Sequence, residues 1–184
     1  MKNLSLWIKI WYFFKRPFDL IYYGWYKWVN FDESNKKIIP KKLFPIYTIH
    51  SNSLLQEVSK KINEIVGFTL INSIPEKYYN EDQFTNNAII FIEFKDDLGL
   101  NDNGDRIDGR AFPFPEGKNK SIILLRNNLK DHALQKIYAH ELIHMLGHWG
   151  HGTSYLMQPI IPSSFLYDEL LHGTAGWLVE NYGK

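Results

Sequence analysis

The feature that most constrains this chain is a short segment starting at His140, where two histidines stand four residues apart and a glutamate follows the first. Residues i and i+4 lie on the same face of an α-helix, so His140 and His144 face the same way if the segment is helical. Two imidazoles one turn apart can both reach one metal ion at about 2.0–2.1 Å. The segment therefore predicts a helix, ended by Gly147, that carries a zinc site with Glu141 as general base toward a zinc-activated water.

This segment resembles the zinc-binding signature of the metzincin endopeptidases, and within that clan it is similar to the matrixins. Four positions match the first part of the signature residue by residue: His140, Glu141, His144 and Gly147. Met157, in a Leu-Met-x-Pro sequence, matches the Met-turn that follows it. The resemblance implies a zinc metalloendopeptidase in which three histidines hold the metal and Glu141 is the catalytic base.

The third zinc ligand is the place where the chain departs from the metzincin pattern. The family's third histidine would fall at position 150, which is a glycine here. His151 lies one residue later and His148 two residues earlier. A one-residue insertion in the turn would let His151 reach back to the metal, whereas His148 directly follows the helix-ending glycine. We therefore predict that the metal ligands are His140, His144 and His151, with His148 as the alternative third ligand.

The length and composition of the chain indicate one catalytic domain preceded by an appendage. The chain has 184 residues, a formal net charge of +1 and no cysteine. Because the net charge is near zero, we predict that the protein does not bind nucleic acid. The lack of cysteine excludes a disulfide framework. We predict an aromatic arm and linker over residues 1–42 and a metzincin-like catalytic domain over residues 43–184. The sequence predicts neither a signal peptide nor a membrane-spanning run, and the localisation stays undetermined.

Residues 1–31 are rich in large aromatic rings and hold four of the six tryptophans. Charged residues interrupt every apolar run, so two interpretations stay open. The first is a helical arm that packs on its own domain, on a protein partner or on a neighbouring subunit. The second is a segment that lies in a membrane interface, where Trp, Tyr and Lys are favoured. We favour the first interpretation.

The predicted elements follow the order of a metzincin catalytic domain. The resemblance implies an α+β fold with a mixed, mostly parallel twisted sheet, an active-site helix and a C-terminal helix. Asn52 or Ser53 is predicted to cap the first helix, and Asn128 or Asp131 the second. Strands are predicted over 43–50, 68–74, 87–94, 110–114 and 120–126, and helices over 53–66, 132–147 and 165–181.

Two features of these elements concern ligands. Proline confines the strand at 110–114 to the edge of the sheet, where a peptide substrate would add as a further strand around Arg110–Phe112.

The loop over residues 96–109 carries oxygen ligands suited to calcium. The alternative is a plain solvated turn. Those ligands are Asn103, Asp105 and Asp108.

The favoured function is peptide-bond hydrolysis with a protein or peptide substrate. Ile160 and Ile161, just past the Met-turn, are candidate walls of an apolar substrate pocket. Two alternatives stay open. One is a structural or assembly protein, phage or bacterial, that retains a zinc site and docks through its aromatic arm. The other is a membrane-surface protein whose arm is the main functional part.

Overall fold

The computed structural model describes residues 39–101, 103–148 and 167–183, all of which belong to the compact unit Asn35–Lys184. Several sequence predictions lie outside these residues and stay predictions: the arm over 1–31, His151, Met157, Ile160 and Ile161. The predicted division at residue 42 also stays a prediction. Among the helices of the described residues, none is long and apolar enough to cross a membrane.

Five strands form one mixed sheet, which confirms the predicted α+β class with a mostly parallel sheet. The strands are β1 (Ile46–Ile49), β2 (Ile71–Ile74), β3 (Ile89–Lys95), β4 (Gly109–Ala111) and β5 (Lys120–Arg126). Their order across the sheet is β2-β1-β3-β5-β4. β1, β2, β3 and β5 are paired in parallel, and only β4 pairs antiparallel, with β5. The proline-interrupted strand therefore lies at the edge, as predicted.

The described residues form three α-helices: α1 (Ser53–Val66), α2 (Asp131–Met145) and α3 (Tyr167–Tyr182). α1 and α2 pack against strands of the sheet, and α3 packs against α1 and α2. The same residues form three short 3₁₀ helices, at Lys41–Leu43, Glu76–Tyr78 and Glu81–Phe84. α1 has the predicted bounds. The side chain of Asn52 accepts a hydrogen bond from the N–H of Leu54 at 2.9 Å, and Gly67 ends the helix with a φ of 82°.

The predicted cap of α2 is wrong. The N-cap residue is Lys130, whose side chain makes no capping hydrogen bond. Asn128 instead occupies the turn after β5 with a φ of 64°, a conformation that asparagine tolerates better than most residues. Asp131 is the first helical residue, where its carboxylate interacts favourably with the positive end of the helix dipole. Asn128 therefore stabilises the turn before α2, and Asp131 interacts with the helix dipole, but neither residue caps the helix.

α2 runs through the interior of the protein, and this burial determines the character of the site it carries. Every residue from Tyr138 to Gly147 is buried. Four apolar residues at helical spacing are all buried in the core: Leu134, Tyr138, Leu142 and Leu146. α2 also packs against α1, α3 and β4. Because the helix is covered on several sides, its polar residues are buried together with its apolar ones.

The loop after β3 is held together by its own side chains. The side-chain oxygen of Asn101 accepts hydrogen bonds from the N–H groups of Asn103 and Asp105, at 3.0 and 2.8 Å. Asp108 forms an ion pair with Arg126 of β5 at 2.5 Å. Among the described residues, which do not include Asp102, no group of three potential ligands is placed to hold a metal. Calcium binding in this loop stays a prediction.

Candidate active site

The two helix histidines point at each other across one turn of α2. Their ring centroids are 4.5 Å apart with the ring planes nearly perpendicular, at 89°. The Nε2 atom of His140 lies 3.0 Å from the Nε2 atom of His144. Two nitrogens bound to one tetrahedral zinc ion at about 2.0–2.1 Å would lie about 3.3 Å apart. The observed separation is within a few tenths of an ångström of that value, so the pair fits a zinc ion.

The second ring nitrogen of His144, Nδ1, forms a hydrogen bond with the main chain. Nδ1 lies 2.6 Å from the main-chain carbonyl oxygen of His148. A carbonyl oxygen only accepts, so the ring must donate its Nδ1–H proton. In the neutral ring the lone pair is then on Nε2, which faces His140. This hydrogen bond selects the tautomer that a metal ligand needs and fixes the orientation of the ring.

A Schellman motif at the end of α2 explains how the carbonyl of His148 reaches that position. The N–H of Gly147 donates to the carbonyl of His144 at 2.8 Å, and the N–H of His148 donates to that of Ile143 at 3.2 Å. This 5→2 and 6→1 pattern needs a left-handed residue after the helix, and Gly147 supplies it with a φ of 109°. The prediction that Gly147 ends the helix is confirmed.

Tyr182 of α3 forms a hydrogen bond to the C-terminal end of α2. The hydroxyl of Tyr182 donates to the carbonyl of Leu146 and accepts from the N–H of Ile39 at 3.3 Å. Burial raises the pKa of the Tyr182 hydroxyl, so it stays protonated and can donate. Sequence reasoning did not identify Tyr182 as part of the site, because its partner Leu146 lies 36 residues away.

Glu141 is buried against the edge strand β4. Only 7% of the residue is exposed, and this burial raises the pKa of its carboxyl group from 4.5 to about 7. A hydrogen bond from the main chain of Ala111 and the positive charge of Arg110 act in the opposite direction. The main chain at Gly109 also lies close to the glutamate side chain. Glu141 is therefore poised to exchange a proton near neutral pH.

Of the two candidate third ligands, the structure describes only His148. The ring of His148 packs edge-on against Trp177 of α3, with centroids 5.2 Å apart. Within residues 39–101, 103–148 and 167–183, no third histidine, cysteine or acidic residue completes a metal-binding group. His151 lies outside the described residues, so its role as third ligand stays a prediction.

No family model matches the chain, and no curated protein matches it. The functional interpretation therefore depends on the motif in α2 and on the geometry around it.

Proposed function

We propose that this protein is a zinc-dependent endopeptidase of the metzincin type, similar to the matrixins. One observation carries the proposal: the Nε2 atoms of His140 and His144 converge to 3.0 Å on a buried helix. Two lone pairs at that distance repel each other unless a proton or a metal ion lies between them. Glu141, on the same helix, supplies a buried carboxylate with a pKa of about 7 beside that pair.

Each residue would have a distinct task. His140 and His144 would hold zinc through Nε2, and His151 is the proposed third ligand. Zinc, when bound, supplies Lewis-acid polarisation of the scissile carbonyl and makes water nucleophilic near neutral pH. The carboxylate of Glu141 accepts a proton from the attacking water and later delivers it to the leaving amine. Burial raises the pKa of this carboxyl group above its ordinary value, which strengthens Glu141 as a base.

The edge strand β4 offers a place for an extended peptide. It lies at the end of the sheet order, and among the described residues no strand pairs with the side of β4 that faces away from β5. On that side the main chain of Ala111 bonds to Glu141, so an added peptide would pair with the remaining main-chain groups of the edge. A peptide that adds there would use main-chain hydrogen bonds, which tolerate many sequences. Since β4 packs against α2, a peptide bound along its edge would pass close to Glu141.

The test compares wild type with Glu141→Gln on an unfolded protein substrate, with zinc content measured in both. Glu141→Gln should keep zinc and lose hydrolysis by about 10²–10⁴-fold, because the base is removed while the ligands stay. The control is Glu64→Gln on α1, since the Glu64 side chain is 55% exposed; it should keep full activity. An equally active Glu141→Gln variant would refute the role of the base. A zinc-loaded wild type that hydrolyses no unfolded protein would refute the protease and favour the structural or assembly protein.

A further inference from the structure

The glycine at the start of β4 is explained by a close approach to α2. A Cβ atom built on Gly109 would lie 2.8 Å from Oε1 of Glu141 and 2.9 Å from its Cγ. It would also lie 2.5 Å from Cγ2 of Ile137, one turn earlier. The φ of Gly109 is outside the left-handed region, so conformational freedom does not account for the glycine. Any side chain at position 109 must displace either β4 or Glu141.

The pairing of β4 with β5 shows which main-chain groups face the glutamate. The N–H of Phe112 donates to Ile122 at 3.1 Å, and the N–H of Arg126 donates to Asp108 at 2.9 Å. Groups on alternate residues of an antiparallel strand point to the same side. The main-chain groups of Gly109 and Ala111 therefore point away from β5. Ala111 uses this side to make its main-chain hydrogen bond to Glu141.

From these contacts we infer that Gly109 is a positioning residue for Glu141. Gly109 and Ala111 together form a main-chain seat: Gly109 leaves room for the carboxylate, and Ala111 holds it by a hydrogen bond. The seat determines where the carboxylate stands relative to the two helix histidines. The catalytic consequence of this inference rests on the proposed protease function, whereas the seat itself can be tested without any activity.

The first experiment measures hydrogen exchange at the amide of Ala111. In wild type this amide should be protected, although it lies on the side of β4 that pairs with no strand of the described residues. Glu141→Gln should keep the protection, because the side-chain amide oxygen can still accept. Glu141→Ala and Gly109→Ala should both speed exchange at Ala111. An unchanged exchange rate in Glu141→Ala would overturn the seat.

The second experiment separates the position of Glu141 from simple overpacking. Gly109→Ala creates clashes with both Glu141 and Ile137, and Ile137→Leu removes the Cγ2 methyl at nearly constant volume. The double variant Gly109→Ala/Ile137→Leu should therefore regain part of the lost thermal stability without regaining kcat, because the clash with Glu141 remains. A displaced base should lower kcat by about 10²-fold, with zinc content unchanged and little effect on KM.

The matched control for a glycine substitution is Gly117→Ala. A Cβ atom at Gly117 would meet nothing within 4 Å, although its φ of 69° makes the substitution strained. This variant should lose some stability and keep kcat. Recovery of kcat in the double variant would show that Gly109 has only a packing role and would overturn the inference. A wild type with no hydrolytic activity refutes the proposed function, while exchange at Ala111 still decides whether the seat exists.

Discussion

The carbonyl oxygen of His148 lies 2.6 Å from Nδ1 of His144. This contact joins a proposed zinc ligand to the turn that immediately follows its own helix. The turn in turn depends on Gly147, which adopts a φ of 109°. The orientation of the metal-binding ring is therefore set by the end of α2, where the hydroxyl of Tyr182 also bonds to the carbonyl of Leu146.

Removal of one helix histidine should abolish tight zinc binding. We expect His144→Ala to lose the metal, because one of two convergent nitrogens and its ring orientation are lost together. At free zinc about 100-fold above Kd, binding stabilises wild type by about 2.7 kcal/mol. Chelation should therefore lower the Tm of wild type and leave the Tm of His144→Ala unchanged. His132→Ala, at an exposed position in the first turn of α2, is the control. Zinc at wild-type stoichiometry in His144→Ala would contradict the assignment.

The two candidate third ligands should differ in their effect on zinc affinity. His148→Ala keeps the main-chain carbonyl that holds His144 and removes a ring that packs on Trp177. We therefore expect His148→Ala to weaken zinc binding less than His151→Ala. Competition titration against a chelator of known affinity measures both variants. The opposite ranking would transfer the ligand role to His148.

Loss of the Tyr182 hydroxyl should destabilise the protein. Tyr182→Phe removes the donor to Leu146 and the acceptor for the N–H of Ile39. Because these partners become unsatisfied in a buried place, the free energy of unfolding should fall by about 1–3 kcal/mol. Urea denaturation measures the change. Tyr78→Phe, at a residue that is 64% exposed, is the control and should have almost no effect.

His50 should make the protein sensitive to acid. The residue is 5% exposed, and burial lowers its pKa from 6.5 to about 4. Above pH 6.5 the ring is neutral in both states and stability is complete. As the pH falls from 6.5 to 4, the unfolded state binds a proton first, so stability is lost by up to about 3 kcal/mol. Below pH 4 both states are protonated and the loss stops growing.

The measurement for His50 is the difference in unfolding free energy between wild type and His50→Gln across pH 4–7. Glu141 acts in the opposite direction in this range, because its pKa is raised to about 7. Both proteins contain Glu141, so its contribution cancels in the difference. The acid loss should be smaller in His50→Gln. Parallel stability curves for the two proteins would contradict the prediction.

Much of the fold could be predicted from local pattern. The bounds of α1 and β5 match the prediction because each is a continuous periodic or apolar run with turn residues at its ends. β4 begins one residue earlier and ends three residues earlier than the predicted 110–114, at Gly109–Ala111. The cap of α2 was wrong because Asn128 entered a left-handed turn, which the identity of the residue alone does not specify.

The sequence by itself determined the spacing of His140 and His144 and the turn at Gly147. These features depend on residues within about one helical turn, where backbone geometry dictates which side chains meet. Only the tertiary structure showed that β4 lies against Glu141 and that this close approach leaves no room for a side chain at Gly109. Only the tertiary structure brings the hydroxyl of Tyr182 to the carbonyl of Leu146. It also decided the burial that raises the pKa of Glu141 and lowers that of His50. Such effects arise where segments distant in sequence pack together and exclude water, so no local pattern contains them.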